Sequence, residues 1–135
     1  MEKISKGKYK IAVIEDEEIE AKSLVGELDD AGFDVVKASD GESGLQLILK
    51  EQPDLVLLDI VMPKMDGMTM MQNLRRSGEY GKGVPIILLT NLNADDAIMG
   101  GITKNQPSYY LVKSSYAVAD VVEKVKQSLQ KLSSR

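Results

Sequence analysis

Four short apolar runs constrain the fold most, because each stops at a residue able to handle a phosphoryl group. Ile11-Ala12-Val13-Ile14 leads into Glu15 and Asp16, and Leu55-Val56-Leu57-Leu58 into Asp59. Ile86-Ile87-Leu88-Leu89 leads into Thr90, and Tyr109-Tyr110-Leu111-Val112 into Lys113. Strands this apolar are covered on both faces, the habit of parallel sheets. In a parallel sheet all four runs end at one edge. Three carboxylates, a hydroxyl and an ammonium then emerge together, where open α/β sheets bind ligands at the reversal of strand order.

Segments of helical period separate the runs, the pattern of βαβ units. Five strands are expected near residues 9–15, 33–37, 54–59, 84–89 and 108–112. The second, Phe33-Asp34-Val35-Val36-Lys37, is the most polar and reads as an edge. Five helices are expected at about 17–31, 41–51, 66–77, 94–102 and 115–132. The first places Ala21, Leu24, Val25 and Leu28 on one face and stops at Gly32, a favoured C-terminal cap. The second carries Leu45, Ile48 and Leu49 and is blocked by Pro53. The third stacks Met68, Met71 and Leu74, and the short fourth contains Gly100-Gly101. The last has the cleanest stripe: Val118, Val121, Val122, Val125, Leu129 and Leu132.

At 135 residues the chain suits one domain with a sizeable core. No apolar run approaches the roughly 18 residues that span a bilayer, and the first residues lack the apolar stretch of a secretory signal. A net charge of −4 gives no basic footprint for nucleic acid. With no cysteine there is no disulfide or thiol chemistry, which fits a cytoplasmic setting. With no histidine there is no imidazole base and no zinc site of the usual kind. Chemistry here must use carboxylates, hydroxyls, lysines and a hard metal.

Asp59 alone would read as a capping carboxylate. With Glu15 and Asp16 at the neighbouring strand end, three like charges repel, and Mg²⁺ removes the repulsion through oxygen ligands. Asp16, ahead of Glu17-Glu18, also suits the cap of the first helix, so that pair is expected to cap a helix and hold a cation together. Lys113 supplies an ammonium for Asp59 and then for phosphoryl oxygens. Thr90 supplies a hydroxyl. The chemistry that follows is attack by Asp59 on phosphorus to give an acyl phosphate, a transfer governed by positioning and charge neutralisation. A carboxylate needs no general base to be nucleophilic.

These residues resemble a two-component response-regulator receiver domain over nearly the whole chain, with core about 9–132 and no output domain expected. Glu15-Asp16 resembles the family's acidic pair, and Asp59-Ile60-Val61-Met62-Pro63-Lys64-Met65-Asp66-Gly67 its specific phosphoacceptor loop. Thr90 and Lys113 stand in the places of the switch hydroxyl and active-site lysine. The resemblance implies a doubly wound, flavodoxin-like sheet in order 2-1-3-4-5 flanked by five helices. It implies Mg²⁺ held by Glu15 through water, Asp16, Asp59 and the backbone carbonyl of Val61. It implies a phosphoacceptor rather than an enzyme, charged by a histidine kinase or histidine phosphotransfer protein. Tyr110 matches the switch aromatic, which turns inward as Thr90 moves. That changes the surface of the helix at 94–102, the last strand and the last helix for a downstream protein target or a homodimer.

The sequence departs from the family in three places. Ser114 follows Lys113 where proline in a cis bond is usual; a non-proline cis bond costs roughly 3–4 kcal/mol, so a trans bond with a shifted loop is expected. Asn91 replaces a small residue after the switch hydroxyl, and Thr103-Lys104-Asn105-Gln106-Pro107-Ser108 replaces the usual small-residue loop. Val61 and Leu92 are apolar where side chains influence the attacking water, so a long-lived phosphoryl group is expected. The departures motivate an alternative, a degenerate receiver acting as a phosphate-independent binding module. A Mg²⁺-dependent aspartyl phosphatase is disfavoured, because Val61 stands where its second acid would be.

Overall fold

The apolar runs become strands, and a fifth joins them as the polar edge. In the computed structural model, which describes residues 9–59, 65, 67–90, 109–112 and 117–133, these are β1 (Lys10–Ile14), β2 (Asp34–Ala38), β3 (Leu55–Asp59), β4 (Ile86–Thr90) and β5 (Tyr109–Val112). All pair in parallel in the order β2-β1-β3-β4-β5. The reversal therefore falls between β1 and β3. β3 is buried throughout, whereas β2 is exposed or half-buried along its length, as an edge requires.

Five helices are seen among the described residues: α1 (Glu18–Asp30), α2 (Gly41–Glu51), α3 (Gly67–Arg75), α4 (Glu79–Gly83) and α5 (Val118–Ser133). The period-2 alternation of the strands divides the core. Ala12, Ile14, Val56, Leu58, Ile86 and Leu88 pack with Ile48 of α2 and Met70, Met71 and Leu74 of α3. Ile11, Val13, Leu55, Leu57, Ile87 and Leu89 pack on the other face with Leu24 and Leu28 of α1 and Val121, Val125 and Leu129 of α5. Each large aliphatic side chain so buried contributes about 1.5–3 kcal/mol.

The helix ends follow local chemistry. Gly32 takes φ 96° after α1, and Phe33 N–H donates to Leu28 O at 3.1 Å, closing the last turn. Asp40 caps α2, its Oδ1 accepting from Ser43 N–H at 2.8 Å. α2 ends on Gln52 in the left-handed region, φ 47°, immediately before Pro53.

Three expectations need correction. In α3 the inward positions are 67, 70, 71 and 74, so Met70 is fully buried and Met68 only partly. In α2 the inward set is Gly41, Gly44 and Ile48, which leaves Leu49 40% exposed; glycines hold positions that an apolar count assigns elsewhere. α4 was not expected, because Gly81 and Gly83 each cost about 1 kcal/mol in a helix. Tertiary contacts hold it: Tyr80 OH donates to Pro53 O at 2.6 Å, and Arg75 Nη1 donates to Gly81 O at 3.0 Å and Val84 O at 2.7 Å. The expected helix at 94–102 lies outside the described residues.

Candidate functional site

In the parallel register Ile14 pairs with Leu58. The next residues, Glu15 and Asp59, therefore leave adjacent strands side by side, on the side of the strand reversal. Both follow the odd-numbered positions that face α1 and α5. Glu15 N–H donates to Ala38 O at 3.1 Å, carrying the pairing with β2 one residue further. Its Oε2 accepts from Glu17 N–H at 3.1 Å. Glu15 is 2% and Asp59 5% exposed, while Asp16 is exposed.

A carboxylate oxygen from each of Glu15, Asp16 and Asp59 lies within 4.8 Å of the others. At such separations each charge pair repels by roughly 3–4 kcal/mol at an effective dielectric constant of about 20. Two of the three groups are buried, so water screens them poorly. A small, hard dication relieves the repulsion, and an all-oxygen donor set suits Mg²⁺ rather than a thiophilic metal. The residues present fit that ion.

The expected cap needs correction. The N-cap of α1 is Glu17, which makes no side-chain cap bond, and Glu15 is the carboxylate bonded there. Within the Glu15-Asp16 pair expected to play a double role, it is Glu15 that serves both the chain turn and the cluster. A crevice of about 420 Å³ opens beside the acids, lined by Glu15, Asp16, Glu18, Ala21, Lys37, Ala38 and Ser39. Lys37 and Ser39 escaped sequence reasoning, because a polar edge strand gives no sign of which side chains turn toward the switch point.

Thr90 ends β4, one residue beyond Leu89, the partner of Asp59. Its backbone pairs with Val112, the residue before Lys113, and Tyr110 pairs with Leu88. The backbones of all four strand ends therefore share one edge. Lys113 itself, with Val61, Asn91, Leu92, the 103–108 segment and the Lys113–Ser114 bond, lies outside the described residues.

A doubly wound sheet with an acidic triad at its switch point is the framework of a receiver. The chain belongs to the response regulator receiver domain family, whose profile matches residues 11–128. It is 44% identical over 94 residues to the probable transcriptional regulator ycf27 of Porphyridium aerugineum, covering 69% of this chain but 38% of that protein. The BeF₃-activated N-terminal receiver domain of Klebsiella pneumoniae RstA superposes with a TM-score of 0.75 at 32% identity, covering 87% of this chain and 96% of that one. The receiver domain of the sensor histidine kinase PA1611 from Pseudomonas aeruginosa, with a magnesium ion coordinated in its active-site cleft, gives 0.78 at 24% identity over 89% and 96% of the two chains. No helix among the described residues is long and apolar enough to cross a membrane.

Proposed function

We propose that the chain is a phosphorylation-dependent switch whose phosphoacceptor is Asp59. One Asp59 carboxylate oxygen attacks the phosphorus of a phosphohistidine on a kinase or phosphotransfer protein. A phosphorus–oxygen bond forms, the phosphorus–nitrogen bond breaks, and the electron pair leaves with the imidazole. Glu15, Asp16 and Asp59, with the Val61 carbonyl, would hold Mg²⁺, which would neutralise charge on the phosphoryl oxygens. Lys113 adds a second positive charge and Thr90 a hydroxyl donor, and Tyr110 reports the occupied state to a protein target. Val61 and Leu92 offer the attacking water no hydrogen bond, which favours a persistent acyl phosphate.

The observation that carries this reading is the 4.8 Å convergence of three carboxylates at the strand reversal. The magnesium of the PA1611 receiver and the beryllofluoride of the RstA receiver lend it support from relatives of the same fold. Incubation with a small acyl phosphate and Mg²⁺, followed by intact mass measurement, should add one phosphoryl group to the wild type and none to Asp59→Ala. Failure of the wild type to gain mass or to bind beryllofluoride would favour a phosphate-independent binding module.

A further inference from the structure

Gly41 opens α2 and is buried. A Cβ built on it overlaps the carbonyl oxygen of Met65 outright and comes within 2.7 Å of the carbonyl carbon and 2.9 Å of the Met65 Cβ. Met65 stands six positions after Asp59. It cannot simply retreat: its side chain packs against the cluster of β1, β3, α2 and α3, and its Sδ accepts from Asn73 Nδ2 at 3.7 Å. Asp59 is held by β3 pairing, and Met65, six positions on, lies against the bare Cα of Gly41. Gly44, one turn on, differs in what it meets. Its Cβ would approach Ile14 Cγ2 at 2.7 Å, a side-chain contact in the core rather than a loop backbone.

We infer that Gly41 is a positioning residue for the phosphoacceptor loop, an inference that rests on the function proposed above. A methyl group at 41 pushes on the Met65 backbone and so on the chain joined to Asp59. A methyl group at 44 strains the core and leaves that chain in place.

The test compares wild type, Gly41→Ala and Gly44→Ala. Mg²⁺ affinity is read from the dependence of urea unfolding on Mg²⁺ concentration, which reports binding to folded protein whatever its starting stability. Both variants should lose stability. Only Gly41→Ala should lose Mg²⁺ affinity, by about tenfold or more, the scale on which groups orienting metal ligands act, with slower phosphoryl incorporation. Equal Mg²⁺ affinity in all three overturns the inference and leaves Asp59 chemistry intact. A wild type indifferent to Mg²⁺ overturns both readings. If Gly41→Ala is unfolded in buffer, the titration is repeated in trimethylamine N-oxide, which strengthens burial; a variant unfolded there too assigns Gly41 a purely structural role and ends the proposal.

Discussion

Ser128 sits on the inward face of α5, 5% exposed, and its hydroxyl has no hydrogen-bond partner among the described residues. An unsatisfied buried hydroxyl costs free energy, and serine is also the poorer helix former. Ser128→Ala should raise stability by about 1 kcal/mol in urea unfolding; a loss of stability would mean that the hydroxyl is satisfied after all. Some residue roles were legible beforehand. Gly32 reads as a helix stop because few other residues accept its positive φ so readily. Gln52 does not, because a left-handed glutamine carries no sequence signal, and Met70 is missed in favour of Met68 because the buried stripe begins at Gly67, which has no apolar side chain to mark it. The acidic triad was legible because apolar strands ending in carboxylates leave those groups little choice of edge.

α4 shows the limit at the scale of the element. Its five residues, two of them glycine, have no period to detect, and its existence depends on Arg75 bonding the carbonyls of Gly81 and Val84 and on Tyr80 reaching that of Pro53, distant in sequence. Burial pulls the Arg75 guanidinium below its ordinary value, and burial, then the Asp54 charge, pushes the Tyr80 phenol above its own. Arg75→Met should destabilise by about 2 kcal/mol, since hydrogen bonds from a charged donor are lost and carbonyls are left bare. A change below a few tenths would show that α4 holds itself. At the amino edge, Lys10 Nζ and Glu51 Oε1 pair at 2.8 Å across β1 and α2. The hydrogen bond between them, then their mutual charge, holds Glu51 below the ordinary carboxylate value. The same hydrogen bond raises Lys10. The Glu51 contribution is present above the ordinary carboxylate value and fades as pH falls through the lowered one. That of Lys10 is present below the ordinary lysine value and fades as pH rises through the raised one. Glu51→Gln should therefore be slightly less stable than wild type at neutral pH, with the gap closing below about pH 4; a gap independent of pH would contradict the pairing.

Across the whole molecule, the two packed faces hold the sheet rigid enough to keep three carboxylates close. The order of the sheet came only with the family resemblance, whereas the strands and the polar edge at β2 were readable from the runs themselves. The crevice beside Lys37 and the clamp on Met65 were not, because both arise where separate segments meet. The core holds three like charges together, a repulsion that a hard cation would relieve. Unfolding wild type and Asp59→Asn in urea, with and without Mg²⁺, tests it most directly. Mg²⁺ at a hundred times its dissociation constant should stabilise the wild type by about 2.7 kcal/mol, and Asp59→Asn far less. Equal stabilisation of the two proteins, or none of the wild type, would contradict the account.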